Sequence, residues 1–318
     1  MRKDIMEKRV IGVDLGGTKL LAGVIDEQGK VLESCREPVE VNAGPSGLVQ
    51  QVIRVCRQLM TKTSSISAVG IASAGPLDPH QGCLLDPTNL HGPGETWGVV
   101  PLTKPISQEM GIPVGLENDA AAAVLAEHWL GGARGCDNAV MMTLGTGLGV
   151  GVIANGELLR SGRGLHPEVG HVFLHQGDQT APCGCGNYGC AEAYLSGRNF
   201  SRRCAQLWGE SGLTGEELVR RAQFGDEKAL KAFDEYADYF AAMVSSLVVL
   251  FSPERILISG GFSESHSLFL DRARTQLEKL LSRRRQGVDL FPEISLSQLG
   301  AETGLLGGAY VGLNQLNS

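Results

Sequence analysis

The sequence predicts an α/β protein of two domains, each led by a strand, a glycine turn and a second strand. Three observations carry that expectation. At 318 residues the chain is about two domains of ordinary size. Stretches of β-branched and small apolar residues alternate with stretches of helical period. VIGVDLGGTKLLAGVI set beside AVMMTLGTGLGVGVIA puts Leu15 on Leu144 and Gly16 on Gly145, within the same strand, turn, strand pattern. Two copies of one hairpin point to a duplicated architecture.

Taken in order, VIGVDLGG, KLLAGVID and VLESCRE read as an antiparallel meander, with EQGK as its second turn. Leu48, Val52, Val55, Cys56 and Leu59 recur at helical spacing and predict a helix from about Ser46 to Lys62. AVGIASAG is a strand ended by Gly75-Pro76, and Asp78 to Trp97 is a loop rich in Pro and Gly. IPVGLEND is a short strand, and DAAAAVLAEHWLG a helix whose start carries Asn118 and Asp119. The second hairpin follows. Beyond it the chain turns helical: GRNFSRRCAQLWG, TGEELVRRAQFG and Glu227 to Phe251. ERILISGG is a buried strand, SLFLDRARTQLEKLLSRR a helix, and GLLGGAYVGLNQL a helix of small residues packed tightly on a sheet. The expected domains are 1–118 with the C-terminal helix at about 301–318, and 119–300.

Composition excludes several classes. Hydrophobic residues at 42% and charged residues at 20% are the balance of a globular protein with a sizeable core. A net charge of -7 speaks against a general nucleic-acid or membrane surface, which needs clustered Lys and Arg. The one basic run, Arg283 to Arg285, reads as a solvated helix end. MRKDIMEKRVIG lacks the apolar core of a signal peptide, and the longest apolar stretch, Ala241 to Phe251, is too short to span a bilayer. A cytoplasmic, reducing setting is expected, where eight cysteines serve as thiols or metal ligands rather than disulfides.

Three glycine turns follow strands. In DLGGTK, Gly16 and Gly17 let the backbone approach an anion, their N–H groups and the Thr18 hydroxyl can donate to it, and Asp14 can hold a magnesium ion through water. Lys19 completes this first set. Gly145, Thr146 and Gly147 repeat the chemistry, and Gly260 and Gly261 offer a third edge. One such turn alone reads as a bare glycine turn, since the spacing is neither a Walker loop nor the Rossmann fingerprint; three in one chain point to a nucleotide-phosphate site more strongly than any one of them.

The pattern resembles the superfamily of sugar kinases, heat-shock chaperone ATPases and actin, which implies the two-domain actin-like ATPase, or ribonuclease H-like, fold with ATP clamped in a cleft between related domains. DLGGTK, END at 117–119, GTG at 145–147, EVGH at 168–171 and CGCGNYGCAE at 183–192 occur in the order found in the ROK family of bacterial sugar kinases and repressors, over essentially the whole chain. Asp14 lies near the start and leaves no room for the helix-turn-helix domain of the ROK repressors, so a kinase similar to bacterial glucokinases is expected.

A hydroxyl attacking a γ-phosphate needs positioning, charge neutralisation by Mg²⁺, and a carboxylate to take its proton. The resemblance places that base at Asp119, which by spacing alone reads as a first-turn acid of its helix. It also implies that Asn118, Glu168, His171 and Glu192 hydrogen-bond the sugar, with Gly75 and Asn89 as further contacts that also suit plain turns.

Cys183, Cys185 and Cys190 are too close for unstrained mutual disulfides, and no CxxC spacing is present. Thiolate ligation fits, three sulfurs and one imidazole making a tetrahedral zinc site with no open position, hence a structural one. His166, His171 and His175 are all near enough to be the fourth ligand; the ROK pattern implies His171. HPEVGH resembles the fructokinase branch, the cysteine loop the glucokinase branch. The expected reaction is ATP-dependent phosphorylation of a hexose, glucose at its 6-hydroxyl first, with fructose, N-acetylmannosamine and N-acetylglucosamine open. Polyphosphate is an alternative donor, a sugar sensor without turnover the alternative class, and a homodimer or other homo-oligomer the expected assembly.

Overall fold

The computed structural model describes residues 8–63, 65–87, 90, 95–282 and 288–317. Asn89 and Arg283 to Arg285 lie outside the described residues. The chain forms two compact units: residues up to Arg134 with Arg160–His166 and Gln298 onward, and Gly135–Leu159 with Pro167–Ser297. Among the described residues no helix is long and apolar enough to cross a membrane.

In the first unit, β1 (Arg9–Leu15), β2 (Lys19–Asp26) and β3 (Val31–Pro38) form the expected antiparallel meander. The helix α1 (Gly44–Lys62) buries Leu48, Val52, Val55, Cys56 and Leu59, the residues whose period predicted it. Next come β4 (Ile66–Ser73) and, inside and beyond the expected loop, a small antiparallel sheet of β5 (Leu77–Asp78), β6 (Cys83–Leu85) and β7 (Val99–Pro101). Its first turn closes because the Asp78 carboxylate accepts the N–H groups of His80 and Gln81. Strands of two or three residues carry no periodicity to read. After α2 (Thr103–Met110) come β8 (Val114–Asn118) and α3 (Asp119–Leu130). The main sheet runs β3-β2-β1-β4-β8, with β4 and β8 parallel to β1.

The expected boundary after Asn118 is not where the chain divides. Ala120 to Glu127 are buried in succession, so α3 is covered on every side and packs on the C-terminal helix Thr303–Asn314. That helix in turn lies on β1 and β4. A Cβ on Gly70 would overlap the Gly308 carbonyl and the Gly312 amide, so the small residues of GLLGGAYVG are what bring backbone against backbone. Glu127, fully buried, holds the far end: its carboxylate accepts the N–H groups of Gly132 (2.6 Å) and Leu299 (3.2 Å).

The second unit has β9 (Ala139–Leu144), β10 (Leu148–Ala154), β11 (Glu157–Leu158), α4 (Ala191–Leu195), α5 (Gly197–Trp208), α6 (Gly215–Gln223), α7 (Glu227–Phe251), β12 (Arg255–Ser259), α8 (Leu270–Leu281) and β13 (Glu293–Leu296). Its sheet runs β11-β10-β9-β12-β13. Three antiparallel strands are again followed by two parallel ones, so each unit repeats one strand order in the same senses. The core gathers Phe200, Phe233, Tyr236, Phe262 and Phe269 in edge and stacked contacts. The helix expected from Ser267 starts at Leu270; Gly261–Leu268 is a 3₁₀ stretch, its Ser263 and Ser265 hydroxyls donating to carbonyls three residues back.

Candidate active site and metal centre

The first unit collects its polar residues along one edge of the main sheet. Leu15 pairs with Ser73 and Ser73 with Asn118, so the C-terminal ends of β1, β4 and β8 stand in one row. At a parallel-strand spacing of about 4.8 Å, the first and last of these ends lie about 10 Å apart. In open α/β sheets this is the edge where ligands bind. The DLGGTK turn leaves β1 here, closed by the Gly16 N–H on the Lys19 carbonyl at 3.0 Å, with Thr18 exposed at its tip. Asp14 lies 3.9 Å from the Lys19 ammonium and against the first turn of the C-terminal helix, where a Cβ on Gly304 would stand 2.7 Å from its carboxyl carbon. Burial raises the Asp14 carboxyl above its usual range, against the pull of Lys19. Gly75 follows β4 at the same edge, joined to Pro76 by a cis peptide.

Asn118 and Asp119 mark the change from strand to helix. The Asn118 Oδ1 caps α3, accepting the N–H groups of Ala120 (2.9 Å) and Ala121 (3.2 Å). The cap fixes its amide, with Nδ2 turned away from the helix. Half-buried Asp119 holds the first helical position, its Oδ1 accepting the Ala120 N–H at 2.8 Å.

In the second unit the LGTG turn is closed by the Gly145 N–H on the Gly147 carbonyl, and Thr146 is exposed as Thr18 is. Gly260, at φ +89°, packs its α-carbon so closely on Leu144 that no side chain fits, which sets the LISGG and LGTG edges side by side at the ends of parallel β9 and β12. Glu192, in the first turn of α4, accepts the Leu148 N–H at 3.1 Å, and a Cβ on Gly147 would stand 2.6 Å from its Oε2. Its other oxygen lies 3.5 Å from the Cys183 sulfur. Glu192 thus joins the glycine turn to the cysteine loop.

His171, Cys183, Cys185 and Cys190 bring their ligand atoms within 4.8 Å of one another. His171 Nδ1 is 3.5 Å from the Cys183 sulfur, and the Cys185 and Cys190 sulfurs are 3.7 Å apart. With Zn–S of about 2.3 Å and Zn–N of about 2.0 Å at tetrahedral angles, the same pairs stand about 3.5 and about 3.8 Å apart. In these two pairs the donor set matches the spacing of a tetrahedral thiolate-imidazole site, and all four ligand atoms lie near enough to share one ion. Asn187 Nδ2 donates to the Cys185 sulfur, and the loop closes on itself through the Cys183 N–H to the Asn187 carbonyl. Of the three histidines left open by spacing, His166 falls in the first unit, and the His175 carbonyl packs under Gly189 outside the cluster. None of the eight cysteines forms a disulfide.

A model of the ROK family matches residues 10–314. The chain belongs to the ROK family. A ROK hexokinase from Thermus thermophilus superposes with a TM-score of 0.83 at 33% identity, covering 97% of this chain and 99% of that one. A ROK family glucokinase from Streptomyces griseus, solved with glucose and AMPPNP, gives 0.77 at 32% identity over 96% and 99%. In sequence, the glucokinase of Streptomyces coelicolor is 32% identical over 317 residues, 94% of this chain and 96% of that protein. The N-acetyl-D-glucosamine kinase of Pectobacterium atrosepticum is 31% identical over 310 residues, 95% and 98%. The paired five-stranded sheets are the two-domain actin-like ATPase fold of the ROK kinases.

Two polar groups were given no role by the sequence, Glu117 within END and Asp178 ahead of the cysteine loop. Glu117, 2% exposed, accepts the Asn118 N–H on one oxygen at 2.9 Å and pairs with Arg160 on the other. Its partner Arg160 is distant in sequence, so no local pattern marks the pair. Asp178 gathers the segment before the cysteines, accepting from Thr180 N (2.9 Å), Thr180 Oγ1 (2.7 Å) and the buried Tyr194 hydroxyl (2.6 Å). Against the upward push of burial, those bonds hold its carboxyl down to about 2.

Proposed function

We propose that the chain is an ATP-dependent hexose kinase that transfers the γ-phosphoryl group to the 6-hydroxyl of glucose, with Asp119 taking the hydroxyl proton. The observation that carries this reading is the setting of Asp119: a half-buried carboxylate fixed at the first position of α3, on the sheet edge that also bears the DLGGTK turn. Phosphoryl transfer asks for little more than such a base held in place and donors for the phosphate charge. Glucokinases similar over nearly their whole length support the sugar and the donor.

In this reading Gly16, Gly17, Thr18 and Lys19, with Gly145, Thr146, Gly147, Gly260 and Gly261, hold ATP. Asp14 would hold Mg²⁺, which when bound neutralises charge on the β- and γ-phosphates. The sugar hydroxyls fall to Asn118, Glu168, His171 and Glu192, with Gly75 and Asn89 as the further contacts the family resemblance implies. Asn118 offers Nδ2, since Oδ1 is spent on the cap. His171 turns Nδ1 to the cysteines, and a metal there leaves Nε2–H as an obligate donor to a hydroxyl. Zinc, with four protein ligands, would lock the turn Val169–His171 and the start of α4 together, and so the positions of His171 and Glu192. The eight thiols suit the cytoplasm. A homodimer or other homo-oligomer belongs to the reading, supported by Val249 and Leu250, exposed at the end of α7.

One feature favours a second sugar class. His166-Pro167 precede Glu168 as in the fructokinase branch, and a relative of similar identity is an N-acetyl-D-glucosamine kinase. Coupled ADP release across glucose, fructose, mannose and the N-acetylhexosamines, with Asp119→Asn as control, tests both. Glucose is expected to give the highest kcat/KM; a preference for fructose or an N-acetylhexosamine selects the second class, and no release with any sugar overturns the kinase.

A further inference from the structure

We infer that the ion pair between Glu117 and Arg160 is the positioning device that holds Asn118 and Asp119 in register for phosphoryl transfer; this rests on the kinase reading above. β8 is the edge strand of its sheet, so part of its backbone has no neighbouring strand to bond. Glu117 supplies an acceptor from its own side chain: Oε1 takes the Asn118 N–H at 2.9 Å. That carboxylate is buried, and a buried charge is held in one orientation only if its other oxygen is also paired. Arg160 Nη2 meets Oε2 at 2.5 Å, and Arg160 Nη1 reaches the Gly164 carbonyl at 3.4 Å.

The second arm of the fork matters. Arg160 opens the segment Arg160–His166, which is folded on itself by the Ser161 N–H to the Leu165 carbonyl and the Gly164 N–H to the Ser161 carbonyl. One guanidinium therefore ties a closed loop to the backbone of the residue that caps α3. Asn118 is one peptide bond from Asp119, so any swing of the Glu117 carboxylate moves the cap and the first helical residue together. A displacement of about 1 Å at a reacting group costs about 10²-fold in rate. Arg160 and Glu117 touch neither reacting atom in this account. They act through the Asn118 backbone.

Steady-state kinetics of Arg160→Gln, Glu117→Gln and the double variant test this, with Arg160→Lys as the conservative change. Arg160 is one-third exposed, so its substitution is expected to leave a folded chain. Each single variant should lose about 10²-fold in kcat with sugar KM within about threefold, the signature of a lost transition-state geometry rather than lost binding. The double variant should be no slower than the slower single, because the pair acts as one unit. Arg160→Lys should recover part of the loss, since an ammonium keeps the charge but cannot serve Glu117 and Gly164 as a fork. Variants with wild-type kcat and only a lowered Tm, or losses that multiply in the double variant, overturn the inference. A wild-type chain that phosphorylates no hexose overturns the kinase reading and this inference with it; an active wild type with unimpaired variants overturns the inference alone.

Discussion

In the proposed reaction Asp119 serves two ends. As an acid in the first turn of α3 it suits the helix dipole, and that alone would explain it. Its kinetic role is separable: Asp119→Asn keeps the size and the polar contact but removes the base, and kcat is expected to fall at least about 10²-fold with the fold intact, read by turnover and circular dichroism together. Asn118 and Asp119 were legible because a strand runs into a helix at that point in the sequence. Glu117 was legible only as part of a motif, since its cation comes from a segment that no local pattern connects to it. His166 gives a second test at this scale. Burial, with the Arg160 guanidinium adding to it, pushes its imidazole from the usual 6.5 down to about 4. Between those values the unfolded chain binds a proton that the folded chain refuses, so stability falls as pH drops from about 6.5 to about 4. His166→Gln should flatten that fall by about 1–3 kcal/mol, measured as urea midpoints of both chains at pH 7 and pH 4.5. Equal falls in the two chains would contradict the burial of a neutral imidazole.

Among the elements, the cysteine loop carries the most consequence. Residues 171 and 183–190 supply the metal donors, and Glu192, two residues after Cys190, reaches from the loop to Leu148 beside the LGTG turn. A metal there would organise residues proposed to bind the sugar while standing apart from the chemistry. Folded wild-type chain should hold one zinc by emission spectrometry, and chelation should raise the sugar KM about tenfold or more with the ATP KM within about threefold at first. Metal-free, folded chain with an unchanged sugar KM would contradict the link. Long elements were readable: α1 and α7 declare themselves by period and length, and the two glycine hairpins by their shared pattern. What stayed hidden is short or non-local. The strands β5 to β7 have too few residues for alternation, the 3₁₀ stretch before α8 is set by serine hydroxyls folding back on the chain, and the choice of His171 over His166 and His175 depends on three-dimensional proximity that spacing does not contain.

At the scale of the molecule, the repeated strand order is the main result. Two aligned residues in a pair of glycine hairpins stand for two whole sheets with the same order and the same senses, a likeness carried by topology and not by side chains. The compact units differ from the expected bounds at α3, which continues directly from β8 and stays with the first unit by packing on the C-terminal helix, a partner far along the chain that no local pattern reveals. In the proposal each unit brings its own part: the first a base, a phosphate turn, a candidate Mg²⁺ ligand and Asn118 for the sugar, the second a phosphate turn and the sugar residues around the candidate metal site. The most direct measurement is ³¹P NMR of ATP and glucose incubated with the wild-type chain and with Asp119→Asn. The account predicts ADP and a sugar 6-phosphate from the wild type and almost none from the variant. Turnover by Asp119→Asn near the wild-type rate, or no sugar phosphate from the wild type with any hexose, would contradict it.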